Sequence, residues 1–431
     1  MSCTRFAPAA SLRGSLRPPS DKSISHRAAL IAAMGEGETH IGLYLDAADT
    51  HSTLAAVEGL GARVERLKGS PAGGLLIQGV GLRGARAATI DVGNAGTLLR
   101  LLPGWLAGQD GGSWTLDGDE SIRRRPVDRI AVPLRQMGAD LSAREDRLPP
   151  LGIQGAELHG IEYELPVASA QVKSCLLFAG LLAEGETRVV EPLPSRDHTE
   201  RMLAAAGASI ERDGKTVVVR PAERLEPGSF VVPADISSAA FFVVAAVLVA
   251  GSDVILRQVG VNPTRTGLLT ILERMGVKIE REEEMEGGSG AIADLRIRSA
   301  PLQATEVGGA EIPLAIDELP LVALAACFAE GTTVIRDAEE LRRKESDRIE
   351  TVTAALRALG GVVHPTADGM VIEGTGGLVG GTIESQGDHR IAMLGAVAGV
   401  ASREGVEVVG MDAAAVSYPG FERDLCSLQV G

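Results

Sequence analysis

Basic residues of this chain collect just ahead of its apolar segments. Ser20-Asp-Lys-Ser-Ile-Ser-His-Arg27 precedes one apolar run, Gly93-Asn-Ala-Gly-Thr97 with Arg100 opens a second, Ser169-Ala-Gln-Val-Lys173 a third and Asp388-His-Arg390 another. Arg123-Arg-Arg-Pro126, Ser195-Arg-Asp-His-Thr-Glu200, Asn262-Pro-Thr-Arg265 and Arg342-Arg-Lys-Glu-Ser-Asp-Arg348 stand before amphipathic runs, and Pro126 suits a first helical position. A helix N-terminus already carries about half a positive charge. Lys22, Arg27, Arg123, Arg124, Arg125, Arg196, Arg265, Lys344, Arg348 and Arg390 therefore have the wrong sign for helix stability, and Lys344 with Arg348 adds a like-charge pair four residues apart. Free backbone N–H groups beside guanidinium and ammonium groups bind phosphate and carboxylate. The pattern predicts small anions that arrive from outside. Asp49, Asp235, Asn262 and Asp388 read first as N-caps.

Other chemistries find little support. Gly79-Val-Gly-Leu-Arg-Gly84 has dinucleotide-site spacing, but no apolar helix follows it. No Walker A sequence is present, and the seven histidines lack metal-ligand spacing, so no metal is expected. The four cysteines are far apart; Cys175 and Cys327 lie in apolar runs and read as small buried hydrophobes. With 57 acidic against 42 basic residues the chain carries net charge −15, and aromatics are 3%, which speaks against nucleic acid or an anionic membrane as partner. The longest apolar run, residues 239–250, would span roughly 18 Å as a helix, short of a bilayer core of about 30 Å. No apolar leader follows the N-terminal arginines, so a cytoplasmic protein is expected.

The elements that carry these residues repeat. An apolar helix, a glycine turn and a β-branched strand recur six times, with turn glycines at 37, 112, 185, 251, 331 and 405. An amphipathic helix closing on glycine alternates with them, at Gly61, Gly138, Gly207, Gly276 and Gly360, with a truncated copy at 421–428. Each closing glycine suits the left-handed position after a helix. The fold expected is α/β, with six βαβαββ-like units of about 72 residues. A fully apolar helix must be surrounded, so the units group by three into two domains. The boundary falls near Val231-Val-Pro-Ala-Asp235, giving residues 20–233 and, if the first segment completes the last sheet, residues 1–19 with 234–431.

Pro19-Ser-Asp-Lys-Ser-Ile-Ser-His-Arg27, the 93–103 segment, Ser169-Ala-Gln-Val-Lys173, Arg342-Arg-Lys-Glu-Ser-Asp-Arg348, Gln386-Gly-Asp-His-Arg390 and Ser417-Tyr-Pro419 together resemble the EPSP synthase family, in order over residues 19–421. The resemblance implies two inverse α/β domains with the active site in the cleft between them. It also implies transfer of the enolpyruvyl group of phosphoenolpyruvate to the 5-hydroxyl of shikimate 3-phosphate by a monomer without a cofactor. Lys22, Arg125, Arg348 and Arg390, with Asn94, Gly96 and Gln171, would hold phosphoenolpyruvate. Lys22, Ser23, Arg27, Ser169, Gln171, Ser195, Arg196, Asp317 and Lys344 would hold shikimate 3-phosphate. Asp317 would be the base on the hydroxyl, and Glu345, assisted by Lys22, would move the methylene proton. The chain departs from many members at Ala170, where a second serine is common, and from some at Glu340 and at Val416, which replaces a lysine. The nearest alternative, UDP-N-acetylglucosamine enolpyruvyl transferase, usually has a cysteine in the loop near 110–124 and Lys-Asn at the opening motif, where this chain has Lys22-Ser23.

Overall fold

The computed structural model describes residues 3–67 and 74–430. The chain forms two compact units, one of Ser20–Pro233 with Glu286–Gly290, the other of Met1–Pro19, Ala234–Met285 and Ala291–Gly431.

The first unit contains α1 (Lys22–Met34), α2 (Ala48–Gly59), α3 (Gly96–Ala107), α4 (Asp128–Gln136), α5 (Ala170–Gly180) and α6 (His198–Ala205). Beyond their opening turns α1, α3 and α5 are apolar all round, and such helices belong in the interior. α1 is buried from Ile24 to Met34 and α5 from Val172 to Gly180. Three four-stranded sheets cover them. In each, the first two strands are parallel and the rest antiparallel, as in Ala88–Asp91, Ser113–Asp117, Leu148–Gln154 and Asp140–Arg144. The parallel pair needs a crossover, and α3 and α5 each supply one. α2, α4 and α6 bury one face only, for example Ile130, Ala131 and Leu134 of α4.

The second unit contains α7 (Ile236–Leu248), α8 (Gly267–Arg274), α9 (Ile312–Ala315), α10 (Leu319–Ala326), α11 (Arg348–Ala358), α12 (His389–Ala401) and α13 (Phe421–Leu428). Here α7, α10 and α12 are the buried set. Glu306–Val307, Thr332–Ile335, Met370–Glu373 and Val362–Pro365 repeat the four-stranded pattern. The N-terminal segment adds Cys3–Phe6 antiparallel to Val406–Val409, and Ser11–Leu16 parallel to Asp253–Gly260. Phe241 and Phe242 of α7 stack against Phe421 of α13 and the adjacent Tyr418, with ring centroids 5.4–5.7 Å apart.

The five closing glycines, 61, 138, 207, 276 and 360, follow α2, α4, α6, α8 and α11 with φ between +90° and +106°. Four local expectations change. Asp49 is the second residue of α2, whose cap position is Ala47, and Asn262 stands five residues before α8, whose cap position is Thr266, so neither is an N-cap. Pro126 precedes α4 by two residues, with Val127 at the cap position, and lies in the link that follows a short 3-10 turn at Ile122–Arg124. Lys344 follows a 3-10 turn, Glu339–Arg343, and lies outside α11, so no helical like-charge pair with Arg348 forms; its ammonium meets Glu340 at 2.9 Å. Cys175 and Cys327 are buried, and burial raises both thiols. Among the described residues, no helix is long and apolar enough to cross a membrane.

α3 and α5 meet at Gly104, where a Cβ would lie 2.0 Å from the Cys175 carbonyl oxygen. Gly104→Ala must push these helices apart and is expected to lower stability by about 1–3 kcal/mol or more in urea unfolding. Unchanged stability would show that the approach is not tight.

Candidate active site

In the first unit, Asp21 caps α1 by accepting from the Ile24 amide at 2.8 Å. Lys22 is the first helical residue, and its ammonium lies 3.0 Å from Asp49 on the first turn of α2. Ser23 is half-buried, and its carbonyl accepts from Arg27 Nη1 at 3.0 Å. Arg27 is 2% exposed; Nε donates to Thr199 Oγ1 at 2.7 Å and Nη2 to Ser174 Oγ at 3.1 Å. It ties α1 to α5 and α6.

Arginines gather near the start of α3. Asn94 donates to Asp119 at 2.6 Å and accepts from Arg125 Nη2 at 3.3 Å. A Cβ on Gly96 would lie 2.7 Å from Arg125 Nη1, so glycine lets the guanidinium rest on the helix start. One turn on, Arg100 donates to Gln171 Oε1 at 2.8 Å, and Gln171 donates to Thr97 Oγ1 at 3.3 Å. Burial first, then the charges of Arg129 and Arg125, push Arg100 down to about 10. Among the described residues, no carboxylate lies within ion-pair distance of Arg100, Arg125 or Arg129. Ser169 caps α5, accepting from the Val172 amide at 3.4 Å. Ser195 is buried; its amide at 3.1 Å and its hydroxyl both donate to Glu191 Oε1. Arg196 beside it is half-buried.

The second unit pairs its cations with carboxylates. Arg348, 1% exposed, opens α11. Its Nε meets Asp388 Oδ2 at 2.9 Å and Nη2 meets Glu345 Oε2 at 2.6 Å. Asp388 is itself buried and caps α12, accepting from the Arg390 amide at 2.9 Å. Arg390 Nη1 donates to the Asp317 carbonyl at 2.9 Å and lies 3.3 Å from Glu318 Oε1. The Asp317 carboxylate stands 3.5 Å from Lys344 Nζ and 3.6 Å from Arg348 Nη1. Burial, the largest influence on Glu345, opposes its ionisation, but the Arg348 charge, a backbone hydrogen bond and the His389 charge together outweigh it and hold the carboxyl below its usual value. Burial, then Arg390, pushes the His389 imidazole down. The Asp317 carboxylate is thus flanked by two cations.

Within the first unit, Asn94, Gly96, Arg125 and Gln171 come together, with Ser23 at Arg27 nearby in sequence. Within the second, Asp317, Lys344, Glu345, Arg348 and Arg390 do. Sequence reasoning left out Arg100, Asp49, Asp388 and Glu318 as site residues. Asp49 and Asp388 read as caps, and Asp388 is one while also gripping Arg348. Val416, which offers no cation, is exposed on a 3-10 turn.

Such a molecule, with cations at the entrances of repeated helices and ionised carboxylates among them, is an enzyme that moves a group between small anions. Residues 6–425 match the family described as EPSP synthase (3-phosphoshikimate 1-carboxyvinyltransferase). The chain is 49% identical over 417 residues to the 3-phosphoshikimate 1-carboxyvinyltransferase of Alkalilimnicola ehrlichii, covering 96% of this chain and 93% of that one. It is 48% identical to the Synechococcus protein of the same name, covering 97% of each. The solved EPSP synthase of Acinetobacter baumannii superposes with a TM-score of 0.91 at 42% identity, covering 99% of this chain and 98% of that one. The chain belongs to the EPSP synthase family.

Asp388 links this site to stability. Burial opposes its ionisation, but the hydrogen bond and charge of Arg348 outweigh it, so its carboxyl is held below its ordinary range. A depressed carboxyl adds stability above its unfolded value near ~4, and that stability is lost as pH falls through the lower folded value. Asp388→Asn leaves Arg348 buried without its main counter-charge and is expected to lower stability by about 3 kcal/mol at pH 7. Its acid limb should flatten in denaturant titrations run from pH 7 to pH ~2. Equal stability and an unchanged limb would show that the pair contributes nothing.

Proposed function

We propose that these residues carry out enolpyruvyl transfer from phosphoenolpyruvate to the 5-hydroxyl of shikimate 3-phosphate, yielding 5-enolpyruvylshikimate 3-phosphate and phosphate, a step toward aromatic amino acids. Family membership over nearly the whole chain supports the reaction, and it favours this reading over the UDP-N-acetylglucosamine transferase. The observation that carries it is the Gly96, Arg100, Arg125 and Arg129 cluster, whose positive charge meets no carboxylate among the described residues.

The steps follow from the charges. Glu345, ionised at rest, relays a proton from the Lys22 ammonium to the methylene carbon, and the adjacent carbon becomes cationic. Asp317 takes the proton of the 5-hydroxyl as its oxygen bonds to that carbon. The tetrahedral intermediate then loses phosphate as a proton leaves the new methyl group, which restores the double bond. Lys22, Arg125, Arg348 and Arg390, with Asn94, Gly96 and Gln171, grip phosphoenolpyruvate. Lys22, Ser23, Arg27, Ser169, Gln171, Arg196, Asp317 and Lys344 serve shikimate 3-phosphate, and Ser195 belongs to the same subsite. With Ala170 beside it, Ser169 supplies the single hydroxyl at that point of α5. The enzyme acts as a cytoplasmic monomer and needs no cofactor.

Phosphate release measured with phosphoenolpyruvate should appear with shikimate 3-phosphate and stay at background with the UDP-sugar; the reverse would overturn the reading. In the same assay, Asp317→Ala should lose turnover by roughly 10²–10⁴-fold while shikimate 3-phosphate still binds in calorimetry. Normal turnover would remove Asp317 as the base.

A further inference from the structure

Lys173 ends the Ser169-Ala-Gln-Val-Lys173 motif, yet it turns away from the anion-facing residues. Its side chain is fully buried, 3.0 Å from Glu191 Oε1 and 2.6 Å from Glu200 Oε1. Glu191 is also buried, and its Oε2 accepts from Arg212 Nη2 at 2.6 Å. The remaining capacity of Glu191 Oε1 goes to one residue, Ser195, through both its amide and its hydroxyl. Lys173 Nζ approaches the Ser195 carbonyl at 3.5 Å. Two buried charges thus address every polar group of Ser195.

A buried ion pair adds little net stability over apolar side chains of the same volume, and α5 is otherwise apolar here, from Cys175 to Ala179. What the pair supplies is place. It fixes the residue directly before Arg196 against the turn of α5 that begins at Ser169 and carries Gln171. The single hydroxyl proton of Ser195 is spent on Glu191, so that side chain has no donor left for a phosphate.

We propose that Lys173 and Glu191 are positioning residues: through Ser195 they hold Arg196 in register with the start of α5, so that the phosphate of shikimate 3-phosphate meets a preformed site. Ser195 is then an anchor and not a ligand. This rests on the reading above that Arg196 and Ser169 serve shikimate 3-phosphate. Preorganisation of this kind acts on the affinity for one substrate, because displacing a charged donor by about 1 Å weakens binding and orientation strongly.

The test is steady-state kinetics with each substrate varied separately. Glu191→Gln should raise KM for shikimate 3-phosphate roughly tenfold or more, with kcat and the KM for phosphoenolpyruvate within about threefold of the parent. Breaking the pair on one side leaves a buried charge and endangers folding, so the double variant K173M/E191L is measured too. It removes the Lys173 and Glu191 charges together, leaves Glu200 to Arg212, which already lies 3.6 Å away, and should show the same split. A merely structural role would lower the melting temperature and leave both KM values together; that result, or parent-like kinetics in the double variant, overturns the proposal. A parent enzyme that does not turn over shikimate 3-phosphate rejects the functional reading itself, whereas parent turnover with unsplit variants rejects the positioning role alone.

Discussion

Positive charge without an internal partner is the constraint around which the first unit is organised. Arg100, one turn into α3, lies near the half-buried Arg125 and the exposed Arg129 of α4, and burial with their repulsion lowers it to about 10. Removing a cation from water is unfavourable by several kcal/mol unless an opposite charge meets it. A chain of net charge −15 has carboxylates to spare, yet the one here, Asp119, is bound by Asn94, and among the described residues none lies within ion-pair distance of these arginines. The second unit shows the contrasting solution, with Arg348 held between Asp388 and Glu345 and Arg390 beside Glu318. The first unit is left open to an anion, while the second keeps its cations aimed and its carboxylates ionised.

The repeat makes this arrangement possible. Helix interiors carry the packing: α1, α3, α5, α7, α10 and α12 are almost wholly apolar and buried. Their opening residues are thereby free of packing duties and available for chemistry. Lys22, Gly96, Ala170 and His389 are first residues of such helices. Gly96 shows how narrow the tolerance is, since the Arg125 guanidinium occupies the space of a side chain.

Much of this was legible in the sequence because it rests on local chemistry. The closing glycines announce a left-handed backbone that disfavours a Cβ, and each adopts it. Apolar runs with no polar face announce core helices. The partners of the cations were not legible in the same way. Asp388 and Arg348 are 40 residues apart, and nothing in a cap motif says that its second oxygen grips an arginine. Lys173 carries the same charge as the basic residues around it and sits in the same motif, yet α5 turns it inward to Glu191. Pro126 misled because its fixed φ suits the first helical position, whereas α4 opens two residues later, after Val127.

The central claim is that small phosphorylated anions neutralise charge the fold leaves unmatched. It is tested most directly by thermal unfolding of the unliganded enzyme with shikimate 3-phosphate and, separately, with shikimate lacking the phosphate. A ligand of the folded state at a hundred times its dissociation constant stabilises by about 2.7 kcal/mol. The account predicts a clear rise in melting temperature with the phosphorylated compound, a far smaller one without the phosphate, and loss of the difference in high salt. Equal shifts with both compounds, or none with either, would contradict it.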